Sequence, residues 1–123
     1  MPNSNLIWLP LHKPTSSSGR DGEERAAAYL QERGYCIVQR NVRLPGGELD
    51  LVCKDGETIV FVEVKLRNSG NFGTALGAVD RKKRATLRAL ASDYLQFIAP
   101  SARARFDVVA IYGTTITLHK DAF

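Results

Sequence analysis

Cysteine and histidine are scarce in this chain: two of each in 123 residues. A zinc site needs close-spaced pairs of these residues, and Cys36 and Cys53 do not form one. Both cysteines fall in apolar, strand-like runs and are read as buried, reduced, small side chains. Long apolar runs are missing too, and none approaches the roughly 20 residues that span a bilayer. Leu6 to Leu11 is apolar but short, is broken by Pro10 and has no basic residue ahead of it. That is a poor signal peptide, so the expectation is a cytoplasmic protein without membrane contact. No internal repeat is present. Charge of one sign is only mildly in excess, with 17 Lys and Arg against 13 Asp and Glu. A net charge of +4 suits a polyanionic partner without identifying one. The chain is 44% hydrophobic, enough to bury a core with no covalent or metal staple.

Residues 1–18 hold Pro2, Pro10, Pro14 and the run Thr15-Ser16-Ser17-Ser18, and read as a flexible tail. Residues 19–123 then form one domain. A helix is expected to start between Gly19 and Gly22 and to stop at Gly34. Strands are expected at residues 35–40, 48–54 and 58–67, with turns at Pro45-Gly46-Gly47 and Asp55-Gly56. A glycine-rich loop over 68–77 leads into a long helix over 78–98, ended by Pro100. Strands over 106–112 and 115–119 complete the order α-β-β-β-α-β with one added strand. That order predicts an α/β fold with a mixed central sheet flanked by helices.

Several residues break the pattern of their own element. The third strand is apolar on both faces, as a central strand should be. Yet Glu63 and Lys65 interrupt it, two apart and therefore on one face, roughly 7 Å from each other. Buried charge is costly unless it is paired or binds a metal. A plain salt bridge near the sheet edge would also account for them. In the second strand, period-two alternation puts Leu49 and Leu51 on one face and Glu48, Asp50 and Val52 on the other. Pairing symmetric about Asp55-Gly56 sets Asp50 beside Val60 to Val62; a bulge or slip would bring it level with Glu63. Two carboxylates sharing a site repel, and a hard divalent cation such as Mg²⁺ removes that penalty. In the first helix Glu23 lies in the buried stripe of Ala26, Ala27 and Leu30, while Glu24 falls off it. Glu23 therefore reads either as a third acid of the cluster or as an N-terminal acid that suits the helix dipole. In the long helix Lys83 keeps step with Val79, Leu87, Leu90, Tyr94 and Ile98. It is either a member of the cluster or a lysine snorkelling from the end of the stripe. Arg81, Lys82, Arg84 and Arg88 form either a solvated basic face or a surface for phosphates.

At these residues the sequence resembles a known family. Gly47-Glu48-Leu49-Asp50-Leu51-Val52 followed by Phe61-Val62-Glu63-Val64-Lys65 is similar to the PD-(D/E)xK nuclease signature. Residues 19–123 resemble the small bacterial YraN-like family, which is related to archaeal Holliday-junction resolvases. The likeness includes Glu23 with Ala26 and Leu30, Asn41 with Arg43, Phe72-Gly73, Lys83, and Arg105-Phe106-Asp107-Val108-Val109. The E-x-K triplet alone is a weak motif; the ordered set in one short chain is a strong one. Leu49 stands where the signature has its variable proline. The resemblance implies a restriction-endonuclease-like αβββαβ core. It implies Asp50 and Glu63 as metal ligands, Glu23 reaching the metal through water, and Lys65 positioning or activating the attacking water. Lys83 matches a basic position of the second core helix.

The implied cofactor is Mg²⁺, with Mn²⁺ a substitute, and the implied reaction is phosphodiester hydrolysis. Lys65 would stabilise developing negative charge. Arg67, Arg81, Lys82, Lys83, Arg84 and Arg88 would hold a nucleic-acid backbone, expected to be DNA, without reading bases. Junction, flap, single strand, duplex and RNA all stay open as substrates. Two rivals stand beside the nuclease: a nucleic-acid-binding module of the same fold with little or no catalysis, and a structural or adaptor protein. A homodimer is expected only by analogy with resolvases, which meet two scissile strands.

Overall fold

The computed structural model describes residues 17–67 and 79–123, with side chains from Asp21 onward. Helix α1 spans Ser17–Glu32, so it begins slightly before the expected start. It ends in a Schellman arrangement. Gly34 takes φ 91°, its N–H reaches the Gln31 carbonyl at 3.0 Å, and the Tyr35 N–H reaches the Leu30 carbonyl at 3.1 Å. Strands β1 (Cys36–Leu44), β2 (Gly47–Asp55) and β3 (Thr58–Leu66) follow, then helix α2 (Arg81–Ile98), β4 (Ala104–Tyr112) and β5 (Thr115–His119). Asp80 caps α2 by accepting the Lys83 N–H at 2.8 Å. That cap places the helix start later than the expected residue 78. The glycine-rich stretch, Phe72-Gly73 and residues 1–16 lie outside the described residues.

The sheet order is β1-β2-β3-β4-β5. Only β3 and β4 run parallel; the other neighbours are antiparallel. The result is a mixed α/β protein with β3 at the centre of the sheet and, among the described residues, one helix on each face. On one face Ala26 and Leu30 of α1 meet Tyr35, Leu51, Cys53, Val60, Val62, Val109 and Ile111. On the other, Leu87, Leu90, Ala91 and Tyr94 of α2 meet Val42, Leu49, Val52, Ile59, Phe61 and Val108. Each large apolar side chain buried this way contributes about 1.5–3 kcal/mol, so these two layers hold the helices on the sheet. Gly22 lets α1 come down onto the end of β3, where a Cβ would lie 2.8 Å from Leu66 Cδ2.

Several expectations need correction. Strand β1 runs on to Leu44, because the turn is the two-residue Pro45-Gly46 between the paired Leu44 and Gly47. Proline followed by a glycine at φ 101° meets the demands of a type II turn. The second hairpin turns on Gly56-Glu57, with Asp55 paired to Thr58. Its centre therefore lies one residue later than the Asp55-Gly56 signal suggests, and the register moves by two. Leu49 and Leu51 do not share a face: Leu49 packs toward α2 and Leu51 toward α1. The alternation breaks between them, at Asp50. Opposite, Asn41 of β1 takes φ 51°, and the pairing omits both Asn41 and Asp50 while continuing on either side. Cys36 is exposed because it opens the edge strand β1, while Cys53 is buried.

Away from that break, a polar clip fastens β4 to β1 and β2. Asp107 is fully buried. It accepts hydrogen bonds from the Tyr35 hydroxyl at 2.7 Å, from Arg105 Nε at 2.9 Å and Nη2 at 3.0 Å, and from the Asp121 N–H at 2.9 Å. Arg105 Nη2 also reaches Asp55 at 3.0 Å. Burial opposes the Asp107 charge, but its partners outweigh burial and hold the carboxyl below its ordinary value.

Candidate active site

Glu63 is carried by the central strand on the face toward α2, and is only 6% exposed. Its Oε2 receives Lys65 Nζ at 3.4 Å from the same strand and Lys83 Nζ at 3.5 Å from the first turn of α2. A plain edge salt bridge does not describe this arrangement, since β3 has strands on both sides and Glu63 serves two cations. The neighbouring space is apolar, walled by Leu49, Phe61, Leu87, Phe106 and Phe123.

Asp50 reaches Glu63 because β2 and β3 stop pairing at Leu51 and Val62. In that register the next residues along are Asp50 and Glu63, facing each other with no bulge in this hairpin. The Asp50 side chain replaces the missing ladder bond, with Oδ2 accepting the Val64 N–H at 3.0 Å. Burial, then the neighbouring Glu63 carboxylate, push the Asp50 carboxyl up to about 8; Glu23 adds to the rise and the Val64 N–H opposes it. Two acids thus meet where at most one is easily charged. The strain belongs to the pair.

Glu23 comes from the second turn of α1, which has no acid in its first turn. The dipole explanation for Glu23 therefore loses its basis. Glu23 Oε1 accepts a hydrogen bond from Asn41 Nδ2 at 2.8 Å, and the same nitrogen donates to Glu48 Oε2 at 3.0 Å. Glu24 is exposed and pairs with Arg40 at 2.9 Å. Asn41 and Glu48 were not singled out as site residues by sequence reasoning. The available signal was the asparagine itself, since asparagine is among the side chains that most often take left-handed backbone.

The basic residues separate into groups. Lys65 and Lys83 join the acids. Arg81 and Lys82 are exposed at the start of α2. Arg84 donates from Nε to the Val79 carbonyl at 2.7 Å, and its guanidinium lies 5.7 Å from the Phe123 ring. Arg88 lies 5.5 Å from that ring and 6.0 Å from Phe106. These two arginines therefore help cover the aromatic wall. The Arg67 N–H closes the sheet onto the Ile111 carbonyl at 2.8 Å. Four consecutive cations, Arg81 to Arg84, open α2 with no acid in its first turn. The Asp80 carboxylate at the cap and Glu63, paired with Lys83, answer part of that charge, while Arg81 and Lys82 face solvent.

Among the described residues no three of His, Cys, Asp or Glu converge on one point. Mg²⁺ commonly uses one or two carboxylates and fills its octahedron with water and substrate phosphate. A pair whose mutual charge is suppressed by burial, as Asp50 shows, fits such an ion. The residues that would hold it are Asp50 and Glu63.

Fold and site together define a small mixed α/β protein in which Glu63 and Lys65 of the central strand meet Asp50 of β2 and Lys83 of α2. Residues 22–111 match the model of the Uncharacterised protein family UPF0102, and the chain belongs to that family. It is 46% identical to a UPF0102 protein of Shewanella loihica over 87% of this chain and 94% of that one. It is 50% identical to one of Moorella thermoacetica over 76% and 79%, and 42% identical to one of Ralstonia pickettii over 92% and 97%. No helix among the described residues is long and apolar enough to cross a membrane.

Proposed function

We propose that this protein is a Mg²⁺-dependent nuclease of restriction-endonuclease-like fold that hydrolyses phosphodiester bonds in structured or branched DNA. The observation that carries the reading is Asp50 set opposite Glu63 at the end of the β2–β3 ladder, with Lys65 and Lys83 on Glu63. Mg²⁺, or Mn²⁺ in its place, would neutralise the two acids, polarise a phosphoryl oxygen and acidify a bound water. Lys65 lies on the same face as Glu63 and would orient the attacking water and stabilise charge growing on the phosphate. Arg81 and Lys82 would hold the flanking backbone, which fixes position without reading sequence. Two copies of the chain, acting in the cytoplasm, would serve the two strands of a junction. The test is cleavage of labelled four-way junction, flap, single-stranded and duplex DNA in Mg²⁺ or Mn²⁺, by wild type and by Asp50→Ala at matched salt. Cleavage by wild type alone is expected. Tight binding with no cleavage by either protein would sink the enzyme reading and leave a binding module.

A further inference from the structure

A second concavity opens near the acids. It is a groove of about 370 Å³ between the C-terminal half of α2 and the start of β4, inside the range of roughly 300–1,000 Å³ that small-molecule sites occupy. Leu95, Pro100 and Phe106 give it apolar walls, Ser92 and Gln96 add neutral polar groups, and Arg88 is its one charged side chain among the described residues. Phe106 also walls the recess lined by Asp50 and Glu63, so the two spaces share a side chain. The pairing of β3 with β4 sets their separation. Glu63 is level with Val108, and Phe106 and Ala104 lie farther back along β4, roughly 7 and 13 Å away at the usual rise of a strand. The helix supplies a path between the two spaces. Arg84, Arg88, Ser92 and Gln96 stand four apart and form one line along α2. Its cations lie toward the end where Lys83 meets Glu63, and its neutral groups lie at the groove.

We infer that this groove takes an unpaired nucleobase of the substrate strand, a few nucleotides from the cut. The inference rests on the DNA reading above and narrows it to substrates with unpaired nucleotides near the cut, such as a flap or a single strand. A DNA strand joins an anionic backbone to flat apolar rings whose edges carry hydrogen-bonding groups. The line along α2 has the same division. The guanidinium groups of Arg84 and Arg88 suit phosphates, the apolar walls suit the ring, and Ser92 and Gln96 offer a hydroxyl and an amide to its edge. No acid lines the groove among the described residues, so nothing there repels the backbone. A base in a duplex is stacked and paired, and enters a side groove only by flipping; an unpaired base enters at little cost. Proteins that bind single strands combine the same two parts, a basic track for the backbone and a surface for the bases.

The experiment measures binding of the full chain to labelled DNA by fluorescence anisotropy, in EDTA at matched salt. The probes are a single strand, the same strand with its central nucleotides abasic, and the same strand annealed to its complement. The proteins are wild type, Ser92→Trp, which places an indole in the groove, and Arg81→Gln at the exposed start of α2. Ser92 is exposed, so its substitution is expected to leave the fold intact; Gln96→Trp, at another exposed position, takes its place if it does not. Wild type is expected to bind the intact single strand about 10-fold more tightly than the abasic strand, the scale of one base contact. Ser92→Trp is expected to lose that difference while binding duplex as wild type does. Arg81→Gln is expected to weaken all three probes alike, as loss of a backbone contact does. Equal binding of intact and abasic strands by wild type overturns the inference and leaves the backbone contacts standing. So does a base preference that survives in Ser92→Trp. Self-association of wild type that Ser92→Trp abolishes, with no base preference, assigns the groove to a second copy and also overturns it. No binding of any probe by wild type overturns the DNA reading and this inference with it.

Discussion

Replacing Asp50 by asparagine is expected to abolish function and yet stabilise the metal-free protein at alkaline pH. The Asp50 carboxyl is raised from 3.8 to about 8, first by burial and then by Glu63. A raised carboxyl pKa means that the native state keeps a proton which the unfolded chain releases. The resulting stability is fully present below pH 4 and is lost as pH rises through 8. Each unit is about 1.4 kcal/mol, so the shift sets a ceiling of about 6 kcal/mol. Asp50 is only partly buried, so water and relaxation reduce the alkaline penalty to about 2–3 kcal/mol. Asparagine never carries the charge, and its carbonyl still accepts the Val64 N–H. Thermal melts in EDTA from pH 5 to 9 should therefore show wild type falling progressively below Asp50→Asn. The gap at pH 9 should be about 10 °C for a domain of this size. Saturating Mn²⁺ should lift wild type and leave the variant unmoved. A gap that does not change with pH, or a variant less stable at pH 9, would refute the electrostatic account of the pair.

Two further outcomes follow from the core. Asp107→Ala leaves Arg105 without its principal partner and the Tyr35 O–H and Asp121 N–H donors without their acceptor; a loss of about 3–5 kcal/mol is expected in urea denaturation. The Asp107 carboxyl is held low in the native state, so its contribution should fade as pH falls below about 4 in wild type, and acid unfolding at an unchanged midpoint in the variant would count against that. Cys36 should react rapidly with a chromogenic disulfide in the native protein. Cys53, buried with its thiol pushed up to about 12, should react only on unfolding, and two fast thiols would show that the α1 layer opens.

Much of the architecture was legible because each element declares its own period. The α1 stripe, the Gly34 stop, the apolar β3 and the α2 face are local features. Glu63 and Lys65 stood out because charge in a doubly apolar strand is anomalous wherever that strand lies. What escaped depends on neighbours. A period-two reading assumes an unbroken ladder, so it could not put Leu49 and Leu51 on opposite faces. The register of Asp50 turned on whether the hairpin centres on Asp55-Gly56 or one residue later. The exposure of Cys36 was decided by its place on an outer strand. Asp107 is two residues from Arg105 on one strand, but Tyr35 and Asp55 reach Arg105 from other strands or their flanks, and no spacing announces them. The clamp of Asn41 on Glu23 and Glu48 joins a helix to two strands for the same reason.

The irregularity of β1 also bears on how the protein behaves when crowded. β1 and β5 form the two outer edges of the sheet, and an outer strand offers unpaired backbone groups on which another chain can template. β5 is short, at five residues. β1 is nine residues long and would be the more hazardous edge if it were flat. Its register shift between Ile37 and Gln39 and its left-handed Asn41 bend it twice, while Arg40 and Arg43 add charge along it. The kink that turns the Asn41 amide toward Glu23 and Glu48 thus also makes β1 a poor template for intermolecular sheet.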